Sequence, residues 1–285
     1  MSTAYLLQKL TRALLTIWII VTFVFFILRL SGDPAMQVLG PDVETETLEA
    51  FREAWGLNKP LWTQYLVYLG NIFQGDLGVS YLDGRDAFEV VAERFPKTVS
   101  LMLVTAVVTF AIGIPAGIYS ALHRNTFIDR FTMTVSVMGF SAPNFFLGIL
   151  LILLFSVTWR MLPTGGSETA WHYVMPVITM ATAEAAVFAR FTRSAMLDVL
   201  NQPYIRTAIA KGLPWSKVVR EHALPNAAIP TVTITGFFVG TLIAGGVITE
   251  NVFSWPGVGR LFVDSVANRD LAVVQVIVFL IACSM

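Results

Sequence analysis

Charge is scarce in this chain. Asp, Glu, Lys and Arg make up 13% of its 285 residues, about half the roughly 25% usual for a soluble domain. The 19 basic and 19 acidic residues cancel, so the basic excess of a nucleic-acid binder is missing. Cysteine is almost absent. A single Cys283 excludes an internal disulfide and leaves no Cys/His cluster for zinc. His123, His172 and His222 lie far apart, without metal-ligand spacing, so no metal site is expected. No G-x-x-x-x-G-K-[ST] phosphate loop occurs, which argues against ATP binding by this chain. No motif pairs a nucleophile with a base, so no catalytic residue is assigned.

Apolar sequence is abundant instead. Hydrophobic residues reach 55% and mean hydropathy is +0.69. So little charge cannot solvate a globule of this size, whereas a bilayer accepts apolar surface as its own solvent. The expected class is an all-α polytopic membrane protein. A helix needs about 20 residues to cross a hydrocarbon core about 30 Å thick. Six segments qualify or nearly do, at about 10–30, 98–122, 133–158, 173–196, 229–249 and 271–285. The first is too long and too aromatic for a cleaved signal peptide and is read as a retained helix. The last is short for a span, so a truncated sixth helix is expected. The segmentation is residues 1–30 as an N-terminal helix, 31–97 as an extracytoplasmic insert, and 98–285 as a membrane core.

Basic residues in short loops set the orientation. Lys9, Arg12, Arg124 and Arg130 share one side with Arg190, Arg193, Arg206, Lys211, Lys217 and Arg220. The opposite short loops carry Arg160, Arg260 and Arg269. The N-terminus is therefore expected in the cytoplasm. Within 31–97, acidic residues cluster at Asp42, Glu44, Glu46, Glu49 and Glu53. Leu48, Phe51, Ala54 and Trp55 have helical spacing, as do Leu61, Tyr65, Tyr68, Leu69 and Ile72. A small helical cap is expected there. Gly113/Gly117 and Gly236/Gly240 carry the four-residue spacing that lets helices approach closely, within one chain or between two. Pro115, Pro143 and Pro176 are candidate kinks.

The stretch Tyr204–Pro230 carries the most information. Ile205, Ala208, Ile209 and Gly212 fit one helical face. Gly212 suits a turn that other residues resist, and Pro214 suits the start of a new helix. Val218, Val219 and Ala223 continue an apolar side, and Leu224–Pro225 is expected to end it. The prediction is two short helices joined at a glycine, a docking element within residues 201–228.

This stretch resembles the EAA loop of ATP-binding-cassette importer permeases, written E-A-A, three residues, Gly, nine residues, I-x-L-P. Arg206-Thr207-Ala208 stand at E-A-A, Gly212 at the glycine, and His222-Ala223-Leu224-Pro225 at I-x-L-P. The glutamate and isoleucine differ, but the form agrees with the peptide and nickel importer branch. WGLNKPLWTQYLVYLGN at Trp55–Asn71, GDLGVS at Gly75–Ser80, RFPKTVSL at Arg94–Leu101, RFTRSAMLDVL at Arg190–Leu200 and the run Glu250–Asp270 point the same way, as does GDP at residues 32–34. The chain resembles the first of two permease subunits in a dipeptide, oligopeptide or nickel importer, with dipeptide permease B as the type. The resemblance implies a type I importer permease fold in a bacterial or archaeal cytoplasmic membrane. It also implies a homologous second permease, two cytosolic ATPases holding ATP and Mg, and an extracytoplasmic binding protein. Arg206, Thr207, Ala208, Lys211, Gly212, Leu224 and Pro225 are the expected coupling residues.

Some residues carry two readings. Glu184, at membrane depth, lines a pathway or pairs within the bundle; a carboxylate there costs about 3 kcal/mol on insertion scales. The pathway reading opens an alternative, a proton-coupled secondary transporter. Glu250, Trp255 and Pro256 belong to an outer gate or binding-protein contact, or to a rigid loop. Arg190 and Arg193 snorkel to headgroups, or pair with Asp198 or a partner subunit. Nickel and glutathione stand beside peptides as cargo.

Overall fold

The computed structural model describes residues 3–30, 32, 34–40 and 43–284. Asp33 and Asp42, two of the residues used above, lie outside the described residues. Among the described residues the regular elements are helices: α1 Thr3–Leu30, α2 Pro34–Leu39, α3 Thr45–Ala54, α4 Leu61–Phe73, α5 Ala87–Leu122, α6 Phe127–Ser141 and α7 Asn144–Leu151. A π-helical turn, Ile152–Thr158, follows α7. Then come α8 Trp171–Leu200, α9 Pro203–Ala210 and α10 Trp215–Lys217. A second π-helical turn, Val218–Ala223, leads into α11 Leu224–Val252, and α12 Val258–Ala267 and α13 Leu271–Ser284 close the chain. Among the described residues α1, α5 and α8 are each long and apolar enough to cross a membrane, and α6 with α7 passes as a bent pair. The expected fifth segment falls within α11, and α13 covers residues 271–284 of the sixth.

The chain folds as two compact units. One comprises Met1–Pro96 with Gly257–Met285, the other Lys97–Pro256. In the first, Phe25 of α1 stacks on Tyr68 of α4 at 5.2 Å and meets Tyr65 edge-on at 5.3 Å. The Thr22 and Tyr65 hydroxyls are bonded at 2.7 Å. Val90 and Val91 of α5 pack with Val258, Val273, Val276 and Ile277. The helical cap predicted within 31–97 is present as α2, α3 and α4. Its end differs from expectation, because α5 begins at Ala87 rather than near 98. Asp86 caps that helix, accepting the Glu89 N–H at 3.0 Å. A helix whose first turns carry Glu89, Glu93 and Arg94 is too polar to be read as a span, but nothing prevents it from extending beyond lipid.

In the second unit, the span expected at 133–158 is broken at Pro143, one of the three candidate kinks. The pair α6 and α7 bends by 94°. Pro143 lacks an N–H, and its ring pushes the preceding residue out of helical geometry. Ala142 accordingly has ψ 125°. The helix restarts at once, since the Pro143 carbonyl accepts from the Phe146 N–H at 3.0 Å. Helix α5 runs on through Pro115 and α8 through Pro176. Gly113 and Gly117 serve packing within the chain. A Cβ at Gly113 would lie 2.8 Å from the Ala185 carbonyl oxygen, and one at Gly117 2.5 Å from that of Ala189. The backbones of α5 and α8 are therefore too close for any side chain at these positions. A Cβ at Gly236 would meet nothing within 4 Å among the described residues, and the surroundings of Gly240 lie outside them.

Candidate functional site

Helix α9 is held by two side chains. Ile205 and Ala208 are three residues apart, so they share a face, and both are buried. They pack against Ala121 of α5, Ala195 and Met196 of α8, and Val218, Val219 and Ala223 of the π-helical turn. The opposite face is free: Tyr204, Arg206, Thr207, Ile209 and Lys211 are exposed. Ala208, expected on the docking face, shares the Ile205 face that these neighbours cover, and so it anchors the helix. The Thr207 hydroxyl donates back to the Pro203 carbonyl at 3.1 Å.

The end of α9 is a glycine cap. Gly212 has φ +80°. Its N–H donates to the Ile209 carbonyl at 2.9 Å, and the Leu213 N–H to that of Ala208 at 3.3 Å. This paired closure satisfies the last carbonyls and needs a left-handed residue at its centre. The second predicted helix departs from expectation. It does not end at Leu224–Pro225, because the chain stays helical from Trp215 to Val252. Pro225 in the middle of a regular helix would clash with the carbonyl four residues back. The wider turn at Val218–Ala223 relaxes that ladder, a recognised use of π geometry.

Beneath this seat lies an ion pair that sequence reasoning assigned differently. Arg193 reaches Asp129, not Asp198. Its Nε donates to Oδ1 at 2.6 Å and a terminal nitrogen to Oδ2 at 2.8 Å. Asp129 also accepts from the Ser120 hydroxyl at 2.5 Å and the Asn125 N–H at 2.9 Å. Asp129 is 3% exposed. Arg193 therefore does not snorkel. It ties α8 to the start of α6 and the end of α5. The T-x-x-D pattern from Thr126 to Asp129 is an N-terminal helix signal that marks Asp129 in sequence, but nothing local names its partner. Arg190 lies 5.3 Å from the Phe140 ring centroid.

The remaining candidates separate into two places. Glu250 and Trp255 are fully buried. Glu250 accepts from the Thr98 hydroxyl at 2.7 Å, and the Trp255 indole donates to the Lys97 carbonyl at 3.0 Å. Tyr173 meets the Trp255 ring at 4.6 Å and donates to Ser100 at 3.0 Å. These contacts tie α5, α8 and the loop after α11 together, and Pro256 is half-buried at that loop. Glu184 lies elsewhere, half-buried between α8 and α11 on a cavity of about 730 Å³ with Phe188, Phe191 and Thr233.

The long apolar helices define a polytopic membrane protein of all-helical fold. The sequence agrees. Residues 113–285 match the family described as binding-protein-dependent transport system inner membrane component, and residues 2–102 match its N-terminal companion. The chain belongs to this family of ATP-binding-cassette importer permeases. It is 43% identical over 272 residues to the glutathione transport system permease protein GsiC of Escherichia coli O6:H1, covering 95% of this chain and 89% of that one. The figures are the same for the proteins of that name from Escherichia coli K12 and Shigella dysenteriae serotype 1. Among solved structures, an inward-facing MetNI methionine ABC transporter chain superposes with a TM-score of 0.54 at 20% identity. That match covers 68% of this chain and 92% of the other, and supports the type I permease fold.

Proposed function

We propose that this permease forms half of a translocation pathway for short peptides, glutathione-like tripeptides included, and is driven by ATP hydrolysis in separate cytosolic subunits. The observation that carries the coupling is the geometry of α9. Two buried residues fasten it to the bundle, while Arg206, Thr207 and Lys211 face outward with no bundle to cover them. A helix fixed on one side and free on the other transmits a push without melting. Closure of an ATPase pair, with its ATP and Mg, would rock the bundle as a rigid body. A homologous second permease would complete the pathway and an extracytoplasmic binding protein would deliver cargo. The basic loops would lie in the cytoplasm together with the N-terminus.

The peptide cargo is supported by the 43% identity to permeases named for glutathione transport, a tripeptide. Nickel is the less favoured cargo, since nothing in the sequence offers a ligand cluster for it. The test is uptake in proteoliposomes containing this chain, its partner subunits and the binding protein. Uptake of a dipeptide should require ATP and survive a protonophore. Uptake that collapses with the proton gradient and ignores ATP would instead favour the secondary transporter using Glu184. Cysteine substituted at Lys211 should crosslink to an ATPase subunit and react with an impermeant thiol reagent only from the cytoplasmic side.

A further inference from the structure

Within the first unit, the end of α1, the α3–α4 cap and α13 line an open cleft of about 380 Å³, within the roughly 300–1,000 Å³ of small-molecule sites. Two donors on its wall are buried without an acceptor among the described residues. One is a terminal nitrogen of Arg29, the other the side-chain nitrogen of Gln275, and Gln275 is 6% exposed. Arg29 is held rigidly. Its Nε donates to the Gln64 Oε1 at 2.7 Å, and the Gln64 nitrogen is committed to the carbonyls of Leu57 and Lys59 at 3.1 and 2.8 Å. The guanidinium carbon sits 3.9 Å from the Phe25 ring centroid. Among the described residues no carboxylate forms an ion pair with Arg29. A desolvated guanidinium with an unmade bond is costly, and a ligand bringing carboxylate oxygens would relieve it.

The rest of the wall suits the body of such a ligand. Trp55 and Tyr81 meet edge-to-face at 4.7 Å and both line the cavity with Tyr68. Burial pushes the Tyr68 and Tyr81 phenols above their ordinary range, so both remain neutral. Asp76 is the acidic residue on the wall. One of its oxygens accepts the Gly78 N–H at 2.9 Å, which fixes the carboxylate in place.

We infer that this cavity binds a short peptide, its free carboxylate at Arg29 and Gln275, its side chain against Trp55 and Tyr81, and its ammonium group toward Asp76. The inference rests on the peptide-importer reading and adds a cargo site formed by this chain alone. The probes are the dipeptide Ala-Phe, its C-terminal amide and its N-acetyl form. Binding is measured by titration calorimetry on the assembled importer in phosphatidylcholine nanodiscs without the binding protein. Ala-Phe should bind saturably, and the amide at least tenfold more weakly. Arg29→Gln should weaken Ala-Phe by a similar factor, Arg29→Lys by less, with melting temperatures unchanged as a control for folding. Asp76→Asn should weaken Ala-Phe but not N-acetyl-Ala-Phe.

Equal affinity for acid and amide, or undiminished affinity in Arg29→Gln, overturns the site. So does occupancy only by an anionic headgroup, seen as absent Ala-Phe binding together with stabilisation by phosphatidylglycerol that Arg29→Gln abolishes. ATP-driven Ala-Phe uptake in proteoliposomes separates the two levels. Uptake without direct binding overturns the cavity alone. Failure to take up any peptide overturns the peptide-cargo reading on which the cavity depends.

Discussion

Replacing Arg193 with methionine removes both charge-assisted bonds to Asp129 and keeps most of the side chain's volume. Asp129 then retains the Ser120 hydroxyl and the Asn125 N–H but loses its counter-charge while 3% exposed. Breaking a buried pair from one side costs about 3–5 kcal/mol. Arg193 keeps 24% of its side chain in solvent, so water reaches part of the space it leaves, and about 3 kcal/mol is expected. Asp129→Asn spares the carboxylate its burial and leaves a partly exposed guanidinium that can turn to solvent, so about 1.5–2 kcal/mol is expected, the low end for a hydrogen bond to a charged group. The double variant should be less damaged than the sum, with a coupling energy of about 1–3 kcal/mol. Unfolding in mixed micelles measures all three differences. Hydrogen exchange supplies a local readout: Ser120 and Arg193 adjoin Ala121, Ala195 and Met196 under α9, so amides of residues 203–223 should exchange faster in Arg193→Met. Additive costs, or a loss below about 1 kcal/mol in Arg193→Met, would refute the claim that this pair fixes the seat of α9.

Gly117→Ala should cost at least the roughly 1–3 kcal/mol of ordinary overpacking, because its Cβ would meet the Ala189 carbonyl oxygen at 2.5 Å; thermal unfolding decides, and wild-type stability would show that α5 and α8 separate freely. Gly212→Ala has open space around it, so its cost is backbone strain alone, about 1–2 kcal/mol, and Gly212→Asn should cost less; bulky residues there should leave insertion intact and reduce transport-coupled ATPase activity. Burial raises the Asp270 carboxyl above its ordinary value despite the hydrogen bond from Ser80. The folded state thus holds this proton more tightly than the unfolded chain, so the stabilisation is full below the ordinary aspartate value of about 3.9 and fades as pH rises through the raised one. Asp270→Asn should flatten that part of the stability–pH curve, and an unchanged slope would assign it to other groups.

The sequence by itself determined the all-helical membrane class, the helices within residues 31–97 and the turn at Gly212. These depend on local quantities: hydropathy summed over a span, a 3.6-residue period, and the one residue type that accepts a left-handed turn at no cost. The resemblance of Tyr204–Pro230 to a coupling loop was equally legible, since its spacing lies within one stretch of chain. Tertiary structure decided the rest. Whether Ala208 faces in or out depends on which neighbours cover α9. Pro143 breaks a span while helices run on through Pro115 and Pro176, a difference that the identity of the residue alone does not encode. Arg193 finds Asp129 across 64 residues of sequence, and Arg29 meets Gln64 on a different helix. A charge's partner, and so the chemistry left over for a ligand, is set by distance in space, which no periodicity along a chain encodes.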